Sequence, residues 1–144
     1  MKRILLLLLL ITLSACAAHY TSSAPEKAEL YKTWWRVEEI DGTRAVFMPG
    51  QKSDVHIILY PSRRLVGSGG CNQINASFTR SARAIRFGAV SSTKMVCFPA
   101  VMSRERTFID SFHKVETFTI DGLKLRMYDH NGRAVLQFIA VDRH

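Results

Sequence analysis

The sequence lacks a hydrophobic run long enough to cross a membrane as a helix. Its apolar N-terminal stretch, residues 4–13, is interrupted only by Thr12. A membrane-spanning helix needs about 20 consecutive apolar residues. This stretch is therefore too short to serve as a transmembrane anchor.

The sequence also lacks the motifs of several enzyme and metal-site classes. It has no Gly-x-Ser-x-Gly motif of the kind that presents a serine nucleophile. Residues 67–70, Gly-Ser-Gly-Gly, lack the Gly-Lys-Ser/Thr ending of a phosphate-binding loop and precede a predicted strand rather than a helix. The five histidines lie far apart, and no two have metal-ligand spacing. We therefore expect no catalytic residue, metal or cofactor.

The N-terminus has the order of elements typical of an export signal. Lys2 and Arg3 precede the apolar stretch, and residues 13–16, Leu-Ser-Ala-Cys, follow it. This tetrapeptide resembles the lipobox of bacterial lipoproteins, whose cysteine receives diacylglycerol. The sequence predicts a signal peptide over residues 1–15 and lipidation of Cys16. The alternative is an ordinary secretory signal with a chance cysteine.

Acyl chains on Cys16 predict that the membrane is a partner, because two chains give stable anchoring. Ala17 follows the cysteine, where Asp usually retains such lipoproteins at the inner membrane. The predicted location is therefore the periplasmic face of the outer membrane. Residues 16–29 are predicted to form a lipidated tether because they are mostly small and polar. One folded domain is expected over residues 30–144.

The charge of the chain is basic but spread along the sequence. Without Lys2 and Arg3, 18 basic and 12 acidic residues remain, a formal charge of +6. An export signal and the lack of an aromatic-interleaved basic stripe argue against nucleic acid as a partner. We expect the charges to form a solvated surface. Weak attraction to an anionic membrane or envelope polymer is the alternative.

Cysteine is scarce, with three residues in the chain. If Cys16 carries lipid, Cys71 and Cys97 remain as an even pair in an oxidising compartment, which predicts a disulfide. A redox pair would more typically be a close Cys-x-x-Cys, and a zinc site would need two further ligands. Neither pattern is present.

Most of the mature chain predicts short strands. Runs with β-rich or period-two patterning cover residues 34–40, 54–60, 64–68, 75–80, 84–90, 116–120, 123–128 and 134–141. The last three are separated by Asp-Gly and Asn-Gly turns, which predicts a three-stranded meander. Between Pro99 and Val115 the apolar residues instead fall at helical spacing. The predicted fold class is α+β, a small antiparallel barrel-like sheet with one amphipathic helix on a face or at an end.

Two spaced motifs resemble those of the META domain family. Gly67–Asn72, followed by Phe78, is similar to the family's Gly-x-x-Gly-Cys-Asn segment. Residues 93–97, Thr-Lys-Met-Val-Cys, are similar to its Thr-x-Met-x-Cys segment. Glu105 and Phe108 fall where the family's helix carries an acid and an aromatic residue. The likeness extends over roughly residues 33–140.

Structural roles follow for the motif residues. Gly67 and Gly70 are expected to allow positive φ or close backbone approach, and the short amide of Asn72 to satisfy turn backbone groups. Thr93 and Met95 are expected to place a hydroxyl and a flexible apolar side chain beside Cys97. A ligand-binding patch around the same loop is the alternative.

The function expected from these features is that of a non-catalytic envelope lipoprotein. It would act as a binding or assembly module for an envelope protein partner. The family resemblance implies a link to envelope stress or antibiotic tolerance. The alternative is a periplasmic carrier of a small apolar ligand, held in a cavity between helix and sheet.

Overall fold

The computed structural model describes residues 27–142. The predicted signal peptide, the lipidation site Cys16 and most of the predicted tether lie outside these residues. In the described part the chain forms ten strands and one helix: β1 Trp34–Ile40, β2 Thr43–Arg44, β3 His56–Tyr60, β4 Arg64–Ser68, β5 Gln73–Ser81, β6 Ala84–Phe87, β7 Ser91–Ser92, α1 Pro99–Phe112, β8 Thr117–Asp121, β9 Lys124–Tyr128 and β10 Ala134–Val141. Across residues 27–142, no helix has the length and apolar character needed to span a membrane.

Eight strands close into an antiparallel barrel. Their order around it is β1, β3, β4, β5, β6, β8, β9 and β10, and β10 pairs with β1 to complete the ring. The closing pair extends from Trp34 opposite Val141 to Ile40 opposite Leu136. The short strands β2 and β7 add to β1 and β5. This architecture confirms the predicted α+β fold, a barrel-like antiparallel sheet with a single helix.

Alternation along the strands builds the core. In β5, Ile74, Ala76 and Phe78 are buried while the residues between them are exposed. This is the pattern of a strand that packs one face on the core and leaves the other in water. The predicted bounds of β1, β4 and β10 agree with the structure. Strand β6 ends at Phe87, three residues earlier than predicted, and the next N–H, that of Gly88, donates to the carbonyl of Ser77 at 2.9 Å.

Helix α1 buries the apolar face that its spacing predicts. Val101, Phe108 and Phe112 are fully buried, and the Phe108 and Phe112 rings lie 5.0 Å apart in edge contact. The helix starts at Pro99, as predicted, because proline needs no N–H partner in the first turn. It ends three residues before the predicted Val115. There the chain tightens into i→i−3 bonds, such as that from the Val115 N–H to the Phe112 carbonyl at 3.3 Å.

The barrel has two chemically different ends. We call the end covered by α1 the helix end; it also carries loops 45–52, 69–72 and 93–98. At the opposite, N-terminal end lie segment 27–33 and the turns around residues 62, 82 and 122. Segment 27–33 is fixed there because Ala28 donates its N–H to Gly122 at 3.0 Å and Lys32 to Leu59 at 2.8 Å. The indole N–H of Trp35 donates to the Leu30 carbonyl at 3.1 Å.

Candidate functional site at the helix end

The two sequence motifs meet at the helix end. Gly67–Asn72 covers the end of β4 and the loop into β5, and residues 93–97 lead from β7 into α1. The Cys71–Cys97 disulfide joins the two segments, with a Cα–Cα distance of 6.0 Å. This confirms the predicted disulfide. It fixes the segment before α1 to the β4–β5 loop.

The carboxylate of Glu105 is the centre of the polar network between these segments. The side chain projects from α1 and is buried, with 6% of the residue exposed. Its Oε2 accepts the backbone N–H groups of Cys71 at 3.0 Å and Asn72 at 2.7 Å. Its Oε1 accepts the side-chain N–H of Asn72 at 2.6 Å. Three donors compensate for removing the carboxylate from water, which is costly without such partners.

Two glycines near this network are required by close contacts, one with Glu105 and one with the backbone of β3. A Cβ on Gly69 would lie 2.4 Å from Cγ of Glu105, and a Cβ on Gly67 would lie 2.1 Å from the carbonyl oxygen of His56 in β3. Both positions therefore require close backbone approach. Gly70 serves a different purpose, since its φ of 103° is one that other residues rarely adopt.

Asn72 connects the β4–β5 loop, the 93–97 segment and α1. Its Oδ1 accepts the Thr93 hydroxyl and the Met95 backbone N–H, both at 2.7 Å. Its Nδ2 group, besides donating to Glu105, lies 3.4 Å from the Met95 carbonyl. Thr93 also accepts the backbone N–H of Gln73 at 3.2 Å. Met95 thus contributes its backbone to the network, while the residue itself is 46% exposed.

The arrangement holds the β4–β5 loop, the 93–97 segment and α1 together. The carboxylate, amide and hydroxyl of the network are all engaged with each other or with the backbone. Both sulfurs are bonded to each other. Within residues 27–142 no three His, Cys, Asp or Glu side chains are grouped closely enough to hold a metal ion.

A set of exposed apolar side chains lies at the same end of the barrel as the disulfide and the Glu105 network. The residues are Val46, Phe47, Met95, Val96 and Phe98, and we call them the apolar rim. Val96 is 85% exposed, Phe47 63% and Phe98 61%. The ring of Phe98 lies against Gly50, so the 93–98 segment and the 45–52 loop are neighbours. Of the large hydrophobic residues exposed in the described part of the chain, only Leu123 lies elsewhere. Apolar exposure is thus concentrated at the helix end.

Arg104 attaches the 45–52 loop to α1. Its guanidinium donates to the carbonyl of Val46 and to the side-chain oxygen of Gln51. Its Nε is buried without a partner among the described residues, and burial lowers the pKa of the guanidinium from its ordinary value. The loop is therefore positioned by the helix.

A cavity of about 440 Å³ lies between the 40–48 segment and α1. Ile40, Val46 and Met48 line one side, and Ala100 and Thr107 line the other. Asp41 at its edge is paired with Lys114 at 2.5 Å and lies 3.6 Å from Arg133. The cavity thus has an apolar lining with charged groups at its border.

Two functional features were missed from the sequence alone. Nothing in the composition of the 45–52 loop identifies it as an exposed apolar surface. The buried position of Glu105 had a usable signal, because Val101, Glu105, Phe108 and Phe112 share one helical face. A charged residue on such a face predicts a buried partner.

Comparison with known proteins agrees with this geometry. The family model described as META domain matches residues 28–142. An NMR structure of a protein from Burkholderia xenovorans superposes with a TM-score of 0.63 at 23% identity, covering 79% of this chain and 85% of that one. A second NMR structure superposes with a TM-score of 0.57 at 15% identity, covering 74% and 87%. At these identities the two structures show the fold alone. The search of curated proteins found no match.

Proposed function

The chain belongs to the META domain family, and from that premise we propose that it is a non-catalytic lipoprotein of the bacterial envelope. In this proposal Cys16 carries the lipid, and the domain stands at the periplasmic face of the outer membrane. It binds or assembles with an envelope protein. The family resemblance connects this role with envelope stress or antibiotic tolerance.

The main observation in support of the proposal is the apolar rim, whose 93–98 segment is held in place by the disulfide and the Glu105 network. Exposed aromatic side chains such as Phe47 and Phe98 are costly to leave in water, and phenylalanine is enriched in protein interfaces. The disulfide and the Glu105 network fix the 93–98 segment before any partner arrives. A preformed surface loses less conformational entropy on binding. The rim therefore suits a protein partner.

The position of the rim also supports the proposal. The described chain begins at Lys27, at the N-terminal end of the barrel, where Ala28 bonds to Gly122. A lipid anchor upstream of Lys27 would hold that end near the membrane. The rim lies at the opposite end and would face the periplasm. A partner held in the periplasm or in the cell-wall layer would be within its reach.

The test is chemical crosslinking of the tagged full-length protein in cells, followed by mass spectrometry. The wild type is compared with Val96→Asp, which places a charge in the rim, and with the matched control Leu123→Asp at the other end of the barrel. We expect one dominant envelope protein at near-equal amount from the wild type and the control, and its loss from Val96→Asp. Recovery of the same proteins from all three would contradict the proposal.

The cavity beside α1 supports a second candidate, a carrier of a small apolar ligand. Its volume of about 440 Å³ falls within the roughly 300–1,000 Å³ of typical ligand sites. Native mass spectrometry of the purified protein tests this function. A carrier would arrive with bound apolar material that Ala100→Trp, which fills the cavity, would exclude. Unliganded wild-type protein would count against it.

A further inference from the structure

Basic residues that are spread along the sequence converge at the N-terminal end of the barrel. Arg63, Arg80 and Arg86 line one surface depression of about 200 Å³. Lys27, Arg80 and Arg83 line an adjacent one of about 320 Å³. Arg80 lines both, so the two depressions are neighbours. We call these residues, together with Arg64 at the start of β4, the basic cluster.

The fold creates the cluster by joining two hairpins. The β3–β4 hairpin carries Arg63 in its turn and Arg64 at the start of β4. The β5–β6 hairpin carries Arg80, Arg83 and Arg86. Strands β4 and β5 are neighbours, and the Phe78 N–H donates to the Arg63 carbonyl at 3.0 Å. Side chains 15 or more positions apart in the sequence therefore share one surface.

Few carboxylates neutralise this surface. Arg86 pairs with Glu116 at 3.2 Å, the exposed Glu29 lines the depression beside Lys27, and Asp142 lines a further depression with Lys27. Arg80 contacts aromatic groups instead, with its guanidinium 5.8 Å from the Tyr31 ring centre and 5.4 Å from that of Phe118.

The other members of the cluster, Lys27, Arg63, Arg64 and Arg83, are exposed. In the described range none of these four has a carboxylate within 4.0 Å. Concentrated like charge attracts anions and raises their local concentration. Exposed guanidinium groups suit phosphate in particular, since they donate in a planar fork.

The cluster lies where the chain leaves the domain towards Cys16. Lys27 is eleven positions after Cys16, and a fully extended segment of that length spans at most ~40 Å. An anchored domain would therefore keep the cluster close to lipid headgroups. Because the anchor raises the effective concentration of lipid headgroups near the basic cluster, even a weak attraction is sufficient for the cluster to bind them.

We propose that the basic cluster binds the phosphate groups of anionic phospholipids in the membrane that holds the anchor. This contact orients the barrel so that the apolar rim points away from the membrane. The orienting role depends on the proposed lipid anchor. The affinity of the cluster for anionic lipid does not.

The experiment uses the mature chain, residues 16–144, carrying Cys16→Ser, so that neither the apolar signal segment nor an acyl chain contributes to binding. Sedimentation measures its partition onto vesicles containing phosphatidylglycerol and onto vesicles of phosphatidylcholine alone. We expect binding to the anionic vesicles only, weakening as salt rises. Replacing Arg64, Arg83 and Arg86 with Gln should reduce partition about fivefold per charge, on the order of 100-fold in all.

The matched control replaces three exposed cations at the helix end, Arg44, Lys52 and Arg106, with Gln. Since these lie at the opposite end of the barrel, beyond a Debye length of ~10 Å, partition should change by less than about threefold. Changing the three cluster arginines to Lys should preserve most of the binding. An unchanged melting temperature for each variant would show that its fold is retained.

Equal losses from the two Gln triples, or equal binding to both vesicle types, would overturn the proposal. These outcomes leave the proposed binding module untouched, because the assay includes neither the anchor nor a protein partner.

Discussion

The carboxylate of Glu105 offers the sharpest perturbation of the site. Replacement with Gln keeps the size of the side chain and exchanges one oxygen for an NH₂ group. The wild-type carboxylate accepts two backbone N–H groups through Oε2 and the Asn72 side-chain N–H through Oε1. A Gln NH₂ group would face at least one of these donors and leave it buried without an acceptor.

The expected cost follows from those contacts. One unsatisfied buried donor and the loss of charge-assisted bonds should lower the free energy of unfolding by about 2–3 kcal/mol. Glu105→Ala leaves all three donors without an acceptor and should lower the free energy of unfolding by about 3–5 kcal/mol. Asp110→Asn is the matched control on an exposed position of the same helix. Its effect should stay within about 0.5 kcal/mol.

Urea denaturation followed by tryptophan fluorescence measures these changes. The dependence of the unfolding free energy on urea should be unchanged if only the native state is affected. The double variant Asn72→Asp with Glu105→Gln adds a specific test, because it exchanges the amide and the carboxylate between the two positions. The new carboxylate on the β4–β5 loop can accept a hydrogen bond from the NH₂ group of the new amide on α1. It can still accept hydrogen bonds from the Thr93 hydroxyl and the Met95 backbone N–H.

We expect the double variant to recover at least about 1 kcal/mol relative to Glu105→Gln. A Glu105→Gln protein as stable as the wild type would refute the central position of this carboxylate. Additive losses in the double variant would show that Asn72 and Glu105 are not coupled.

Three further predictions concern the disulfide, a turn and the anchor. Cys71→Ser should lower the free energy of unfolding by roughly 3–4 kcal/mol, as expected for a 26-residue separation; an unchanged melting temperature would contradict this. The backbone N–H of Arg133, and then that of Asn131, hold the pKa of Asp129 below its ordinary value. The resulting stabilisation should be present above the unfolded pKa of about 3.9 and be lost as pH falls through the lower folded value, and a carboxyl NMR titration midpoint at or above about 3.9 would contradict it. Cys16→Ser should move the protein from the membrane to the soluble periplasmic fraction without changing its fold, and continued membrane association in cell fractionation would reject the lipobox.

Local patterns were sufficient for most of the strands and the helix. Short β-rich runs predicted β1, β4 and β10 with their observed bounds. Ring closure was not predictable in the same way. It depends on Trp34 pairing with Val141, and nothing local to either strand identifies its partner.

The candidate site, too, was predicted where the sequence signal is local and was missed where it depends on tertiary contacts. The pair of cysteines that remains after Cys16 is assigned to lipid predicted the disulfide, and the glycines and Asn72 were assigned to backbone geometry. The side-chain partners of Asn72 lie at least 21 positions away, so the assignment to a local turn identified its hydrogen-bonding role but not its contacts. Phe47 and Phe98 resemble core residues in sequence. Their exposure follows from the tertiary positions of two loops.

The most direct test of the binding-module proposal is a photo-crosslinking amino acid placed at Val96, in the rim, in living cells. The matched control places it at Asn75, an exposed position on the barrel wall. We predict that Val96 gives one crosslinked envelope protein and that Asn75 does not. Crosslinks to the same proteins from both positions, or no protein crosslink at Val96, would contradict the proposal that the helix end binds a partner.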